Sequence, residues 1–509
     1  VADESLYPMT EYGVEYALTI HRADGTAENY YTETLAAYIS NTYGDSNPLV
    51  FSSEEEARAM VEEYKSTLGI NTEAGDIVDE NLTVTLQPQT SVVVMDQYTG
   101  QVKAIVGGRG TKTTSLSLNR ATDSTRQPGS CFKILSTYAP GLNECGMTLA
   151  TTIKDEPYRY ASGQQVNNWD GKYIGQARVR YAIEHSMNVC AVRTLTETVG
   201  LEKGYQYLQK FGFTTLVNND PDYPGMSDVA QSTALGGITR GVYNIEMTAA
   251  YAAIANGGVY TEPILYTEIL DHDGNVLIDN TEPETHEVIK DSTAYLLTSA
   301  MEDVITKGTG TTARLSNMPV AGKTGTTENS TDLWLSAYTP YYTASVWGGY
   351  DANKHMENMS QSWHMVIWRN IMQRIHEGLE YKDFTIPSSV VQRTICTQTG
   401  KLAVSGCPSL TEYFDKETVV KESCPGHRSV EPEEPEDDED NTDRNNGGGT
   451  DTPDTPDTPD TPSIDGGGSD EGGSGGGSGG EGGGSGEGGS GGGGSDGGGS
   501  GETTTPPSP

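Results

Sequence analysis

The sequence predicts an α+β fold: an antiparallel sheet assembled from both ends of one domain and flanked by helices from its middle. A small α+β module precedes that domain and a disordered tail follows it. Two hairpins and one shift of composition carry the expectation. Residues 91–96 (Ser-Val-Val-Val-Met-Asp) turn at Tyr98-Thr99-Gly100 into 101–107 (Gln-Val-Lys-Ala-Ile-Val-Gly), and a second hairpin runs from 333–338 through Thr-Pro-Tyr-Tyr to 343–350. Strands joined so tightly run antiparallel. The chain between them reads as mostly helical and rich in small residues, as in 244–255, the order expected of an α+β domain.

Ahead of the first hairpin, residues 1–88 read as a small module. Val14, Tyr16, Leu18 and Ile20 alternate as on a half-buried strand, Ala23-Asp24-Gly25 supplies a turn, and Tyr30-Tyr31 begins the return. Ser53 stands three residues before Glu56 in capping-box spacing. Ala57, Met60, Val61, Tyr64 and Leu68 then fall on one face of the helix that follows. Nothing in this module carries obvious chemistry.

The composition shifts at residue 431. Residues 431–509 hold 20 of the 72 acidic residues but only one of the 32 Lys and Arg, Arg444, together with 27 of the 62 glycines and an Asp-Thr-Pro repeat. Such a segment has too little apolar surface to offset its ordering entropy and is expected to be a disordered spacer. The formal net charge of −40 argues against nucleic acid or anionic lipid as a partner, because both are bound through Lys and Arg. No run approaches the roughly 20 apolar residues needed to cross a bilayer. The six cysteines, Cys131, Cys145, Cys190, Cys396, Cys407 and Cys424, are too dilute for a disulfide framework.

The chemistry lies in the middle of the chain. In Arg126-Gln-Pro-Gly-Ser-Cys-Phe-Lys-Ile-Leu, Pro128 and Gly129 break the chain just before an apolar-periodic run. Ser130 is thereby expected at a helix N-terminus, with Lys133 one turn later on the same face. A serine hydroxyl is a poor nucleophile until a base takes its proton, and a lysine desolvated near other cations can be that base. Ser-x-x-Lys alone is a weak signal. It gains meaning from Ser186-Met-Asn188, 56 residues after Ser130, and Lys323-Thr-Gly-Thr-Thr327, 135 residues after Asn188. In isolation the second element would be a helix cap and the third a surface turn; in this order they form a set known for serine acyltransfer.

Residues 89 to about 415 resemble the transpeptidase domain of the class A (bifunctional) penicillin-binding proteins. Beyond the three motifs, the resemblance rests on Asn119-Arg-Ala-Thr-Asp, Ala234-Leu-Gly-Gly, Gly257-Gly-Val-Tyr, Gly308-Thr-Gly, Asp332-Leu-Trp and Trp347-Gly-Gly-Tyr-Asp. It implies the β-lactamase-like fold of that family, with 1–88 as a linker module, 416–430 as an extension and 431–509 as the tail. Cys131 departs from the family's usual threonine and reads as a small buried side chain, not a second nucleophile. No glycosyltransferase half precedes the domain in this chain.

The resemblance makes Ser130 the acyl acceptor and Lys133 its base. Ser186 would relay a proton to the leaving amine, and Asn188 would bind the stem-peptide backbone and help hold Lys133. Lys323 would supply fixed positive charge, and Thr324, Gly325, Thr326 and Thr327 would form the substrate strand, with the hydroxyls of Thr324 and Thr326 on the terminal carboxylate. The backbone N–H groups of Ser130 and Thr326 would form the oxyanion hole. The implied partners are D-Ala-D-Ala stem peptides and an acceptor amine, with β-lactams as covalent inhibitors and other cell-wall synthesis proteins as possible neighbours. No cofactor is implied. The implied location is the outer face of a bacterial membrane, reached through an anchoring segment outside this chain. A D,D-carboxypeptidase, a β-lactamase and a non-enzymatic β-lactam sensor use the same motifs and remain alternatives.

For such an extracytoplasmic domain a disulfide between Cys396 and Cys407 is expected. Cys424-Pro-Gly-His427 lacks the paired Cys-x-x-Cys spacing of a zinc site, so no metal is expected. The eight histidines, His185 included, read as surface or packing residues.

Overall fold

Alternation builds the first sheet. In this computed structural model, which describes residues 7, 10–112, 115–356 and 360–427, strand β1 (Glu11–His21) pairs with β2 (Ala27–Tyr31) on one side. Helices α1 (Thr32–Tyr43) and α2 (Glu54–Thr67) follow, and β3 (Ile77–Gln87) returns antiparallel along the whole of β1, with Val14 opposite Val84. Val14, Tyr16, Leu18 and Ile20 are all buried against Leu35 and Ile39 of α1 and Ala57, Val61 and Tyr64 of α2. The capping box is half formed. Ser53 Oγ accepts from Glu56 N at 3.1 Å, but the Glu56 carboxylate turns to the backbone N of Ser52 at 3.0 Å. Helix α1 gave no sequence signal that the reading used.

The second sheet joins both ends of the domain. Strands β4 (Gln89–Met95) and β5 (Val102–Val106) form the early hairpin. After the helices α3 (Asn188–Thr194), α4 (Asn244–Ala255) and α5 (Asp291–Thr306) come β6 (Ala321–Thr326), β7 (Asp332–Tyr338) and β8 (Thr343–Gly349). The order β6-β7-β8-β4-β5 is antiparallel throughout. Val346 stands opposite Val92, which sets the late hairpin directly beside the early one.

Both faces of this sheet are covered, so β4, β7 and β8 are buried at every position and read as continuous apolar and small-residue runs. Trp334 and Trp347 are buried with the middle helices. Leu333, Leu335, Val346, Val92 and Val94 pack on the other face against Trp363, Trp368 and Met372 of α6 (Trp363–Ile375). Helix α6 was not anticipated; it follows the sheet in sequence and closes the face that the middle helices leave open. Helix α4 is buried on nearly all sides, which fits its run of small apolar residues.

A last hairpin, β9 (Val390–Cys396) with β10 (Ser409–Asp415), docks beside α5. Its fully buried Glu412 accepts from Arg180 Nη2 at 2.6 Å and Nε at 2.8 Å, and Arg180 also reaches Asp303 at 2.9 Å. The carboxylate is thus buried as a bidentate pair. Among the described residues no helix is long and apolar enough to cross a membrane. The expected disordered tail lies outside the described residues.

Candidate active site

The site forms where the Ser130 turn meets strand β6. Gly129 has φ +55°, and a Cβ there would stand 3.0 Å from both the N and the O of Thr326. Only a glycine lets the two backbones approach so closely. Gly325 answers from the other side, since its Cβ would lie 2.5 Å from Pro128 O and 3.0 Å from Cys131 Sγ. The glycine expected for receiving a substrate is therefore already required by packing inside the protein. Trp334 Nε1 donates to Gln127 O at 2.9 Å, and the Arg126 guanidinium stacks 4.6 Å above the Trp347 ring, fixing the turn to the sheet from below.

The helix expected after Ser130 is irregular. Gly129–Cys131 is a 3₁₀ turn, Lys133–Tyr138 is π-helical and Ala139–Asn143 is α-helical. Pro140 has no N–H to offer the Ser136 carbonyl, so the ladder must widen there. Cys131 is buried against β6, with Sγ 3.4 Å from Lys323 O, and burial pushes its thiol up to about 11. It is inert at neutral pH.

Lys133 and Lys323 are both fully buried and converge on Ser186. Ser186 has left-handed backbone, φ +53°, a conformation that costs a non-glycine residue about 1 kcal/mol or more. This turns its carbonyl and hydroxyl toward Lys133 together, at 2.6 Å and 3.2 Å from Nζ. Asn188 Oδ1 lies 2.6 Å from the same Nζ. Lys323 Nζ donates to Ser186 Oγ at 2.8 Å and to Thr324 O at 2.9 Å. Burial, and then the charge of Lys323, hold Lys133 well below the usual lysine range. Burial draws Lys323 down to about 8.

Both shifts favour loss of a proton, at Lys133 more strongly than at Lys323. Three oxygens lie in reach of Lys133 Nζ, namely Ser186 O, Ser186 Oγ and Asn188 Oδ1. A lowered lysine pKa is what a general base requires, since only the free amine has a lone pair for a hydroxyl proton.

Asn168 escaped the sequence reading. Its Oδ1 accepts from the backbone N of Asn188 at 2.9 Å and of Val189 at 3.1 Å, capping α3 from a loop some 20 residues upstream, while its Nδ2 is held by Asp155 at 2.8 Å. Asn188 Nδ2 in turn donates to Asn167 O at 2.8 Å. A lone Asn in a loop carries no spacing that could have disclosed this.

On β6, Thr324 Oγ1 is 2.7 Å from Thr309 Oγ1 and Thr326 is exposed. Thr327 is turned elsewhere. Its hydroxyl lies 2.8 Å from Thr331 Oγ1 and 3.2 Å from Asp332 Oδ2, closing the loop to β7.

The expected Cys396–Cys407 disulfide is not formed; all six cysteines are free thiols. Instead Cys396 Sγ lies 3.0 Å from His427 Nε2, and Cys424 Sγ lies 3.6 Å from the same nitrogen. Together with Cys407, three sulfurs and one imidazole occupy a single locus, which a bond between two of the thiols does not account for.

Residues 90–373 match the family described as the penicillin-binding protein transpeptidase domain, and 386–429 match the C-terminal domain of penicillin-binding protein 1A. The chain is 33% identical over 362 residues to penicillin-binding protein 1A of Clostridium tetani, covering 68% of this chain and 45% of that protein. With penicillin-binding protein 1A/1B of Bacillus subtilis it shares 30% over 379 residues, 69% of this chain and 40% of that one. The chain thus spans less than half the length of these relatives. The crystal structure of penicillin-binding protein 1A from Haemophilus influenzae superposes with a TM-score of 0.57 at 24% identity, covering 81% of this chain and 64% of that one, a likeness of fold. PonA1 of Mycobacterium tuberculosis, solved with penicillin V, gives 0.52 at 23% identity over 59% of this chain and 81% of its own. With the family match extending over more than half its length and enclosing Ser130, Lys133, Ser186, Asn188 and Lys323, the chain belongs to the penicillin-binding protein transpeptidase family.

Proposed function

We propose that this chain is a serine D,D-transpeptidase that cross-links peptidoglycan stem peptides and is acylated by β-lactams. The observation that carries the reading is the pair of buried lysines sharing the Ser186 hydroxyl, both drawn below the ordinary lysine range by burial. In this mechanism Ser130 Oγ attacks the carbonyl of the penultimate D-Ala while Lys133 Nζ takes its proton. The carbonyl oxygen, now anionic, is received by the backbone N–H groups of Ser130 and Thr326. Ser186 returns the proton to the departing D-Ala amine, Lys133 supplying it. An acceptor amine then attacks the acyl ester, forming the new amide and expelling Ser130 Oγ, and the proton the amine loses passes through Lys133 to that oxygen. Lys323 with Thr324 and Thr326 would hold the terminal carboxylate. Thr327 is left out of that set, because its hydroxyl is engaged with Thr331 and Asp332.

On this reading residues 89–415 act outside the cytoplasm on cell-wall substrate, and 1–88 set the domain's distance from a membrane. The test is Ser130→Ala: labelling by a fluorescent penicillin is abolished while the circular dichroism spectrum is kept. Labelling at the wild-type level overturns the assignment. D-Ala release from a pentapeptide mimic, slow until a glycine or D-amino acid acceptor is added, separates the transpeptidase from a carboxypeptidase, which releases it at the same rate either way.

A further inference from the structure

We propose that Cys396, Cys407, Cys424 and His427 form a structural zinc site that ties the segment after β10 to the β9–β10 hairpin. Their four donor atoms lie within 4.8 Å of one another. With Zn–S of about 2.3 Å and Zn–N of about 2.0 Å, a tetrahedral site sets its donors about 3.6 Å apart. The 3.0 Å and 3.6 Å separations of His427 Nε2 from two of the sulfurs lie near that spacing, so small side-chain adjustments suffice.

The donors sit on three backbone segments that are already ordered. Cys396 ends β9, with its N–H on Lys401 O at 2.8 Å and its carbonyl accepting from Gly400 N at 2.9 Å. The Cys407 N–H is on Val404 O at 3.1 Å, and the Cys424 N–H on Leu402 O at 2.8 Å. Backbone N–H groups of Gln398 and Thr399 face the Cys396 sulfur, an arrangement that favours a thiolate over a thiol. Cys396 and Cys424 are buried and Cys407 half-buried, with His427 closing the outer side.

The chemistry of the set selects the ion. Three soft thiolates and an imidazole suit zinc and disfavour magnesium or calcium. Four protein donors fill a tetrahedral shell, which makes the site structural rather than catalytic. Zinc takes the three sulfurs as thiolates, any S–H proton still bound passing to solvent, while neutral His427 gives the lone pair of Nε2. A disulfide between any two of these cysteines leaves the third thiol and the imidazole without a role. The local core is also small: among the described residues it consists of Ala150, Ile395 and Phe414 with four partly buried side chains packed on them, and so small a unit gains order from a metal.

The experiment uses the full chain, purified with reductant, loaded with zinc sulfate and desalted. Metal content is read by mass spectrometry, and cobalt(II) replaces zinc for an absorption spectrum. The expected result is one zinc per chain, thiolate-to-cobalt charge transfer with intense tetrahedral d–d bands, and three thiols shielded from alkylation until a chelator is added. Cys424→Ser and the milder His427→Ala, at an exposed position, each lose the metal, while penicillin labelling of Ser130 is unchanged. Absence of metal with all three thiols alkylated overturns the proposal, as does a peptide map linking two of them by a disulfide. Zinc retained in full by both variants overturns it as well.

Discussion

At the Ser130 site two amine side chains, Lys133 and Lys323, converge on one hydroxyl in a fully buried core, whereas beyond β9 three thiols converge on one imidazole at the rim of the molecule. Both clusters crowd groups that cannot all keep their ordinary protonation. In the core, desolvation acts, and with the charge of Lys323 it holds Lys133 well below the ordinary lysine range. At the rim a bound cation would act, by holding three sulfurs as thiolates. The first solution makes a base and the second makes a staple. Crowding alone therefore does not identify a catalytic site; what relieves it does.

The largest effect that could break this comparison is at Lys133. Lys133→Ala should slow penicillin acylation by about 10²–10⁴-fold, the usual worth of a positioned general base, whereas substitutions at Cys424 or His427 should leave that rate unchanged. Stopped-flow acylation kinetics decide it, and a wild-type rate in Lys133→Ala would make some other group the base.

Next comes pH. Burial holds Lys133 well below the ordinary lysine range, so acylation should rise with pH and level off below that range. It should then fall as Lys323 loses its proton near pH 8, because the carboxylate-binding charge disappears. Lys323→Arg, which stays protonated, should remove the alkaline decline and keep the acidic limb. A decline that survives Lys323→Arg assigns it to a different group.

A smaller effect is expected at Gly325. Gly325→Ala sets a methyl 2.5 Å from Pro128 O, an overpacking that costs about 1–3 kcal/mol and parts β6 from the nucleophile turn. Thermal unfolding and acylation should both suffer; unchanged values would show that the strand can give way. Smallest is Asn168→Ala, which removes two bonds to the N-terminus of α3 and should cost about 1–2 kcal/mol. Chemical denaturation measures it, and a residual acylation defect would report how far Asn188 drifts from Lys133.

The sequence by itself determined what is local or periodic. Val14, Tyr16, Leu18 and Ile20 disclosed β1, the tight turns disclosed both hairpins of the central sheet, and three motifs in order pointed to Lys133, Ser186, Asn188 and Lys323, which hydrogen bonds join in the fold. It did not disclose α6, the π-helical stretch through Lys133, the Asn168 cap or the approach of His427 to Cys396 and Cys424. Each of these depends on a partner remote in the chain: a sheet face left open by other helices, a loop 20 residues upstream, an imidazole 31 residues beyond Cys396. Spacing along a chain records only contacts with a fixed sequence offset, as in a helix turn or a hairpin. The protonation of the two lysines likewise belongs to tertiary structure, because desolvation is a property of what packs around an amine and not of its neighbours in sequence.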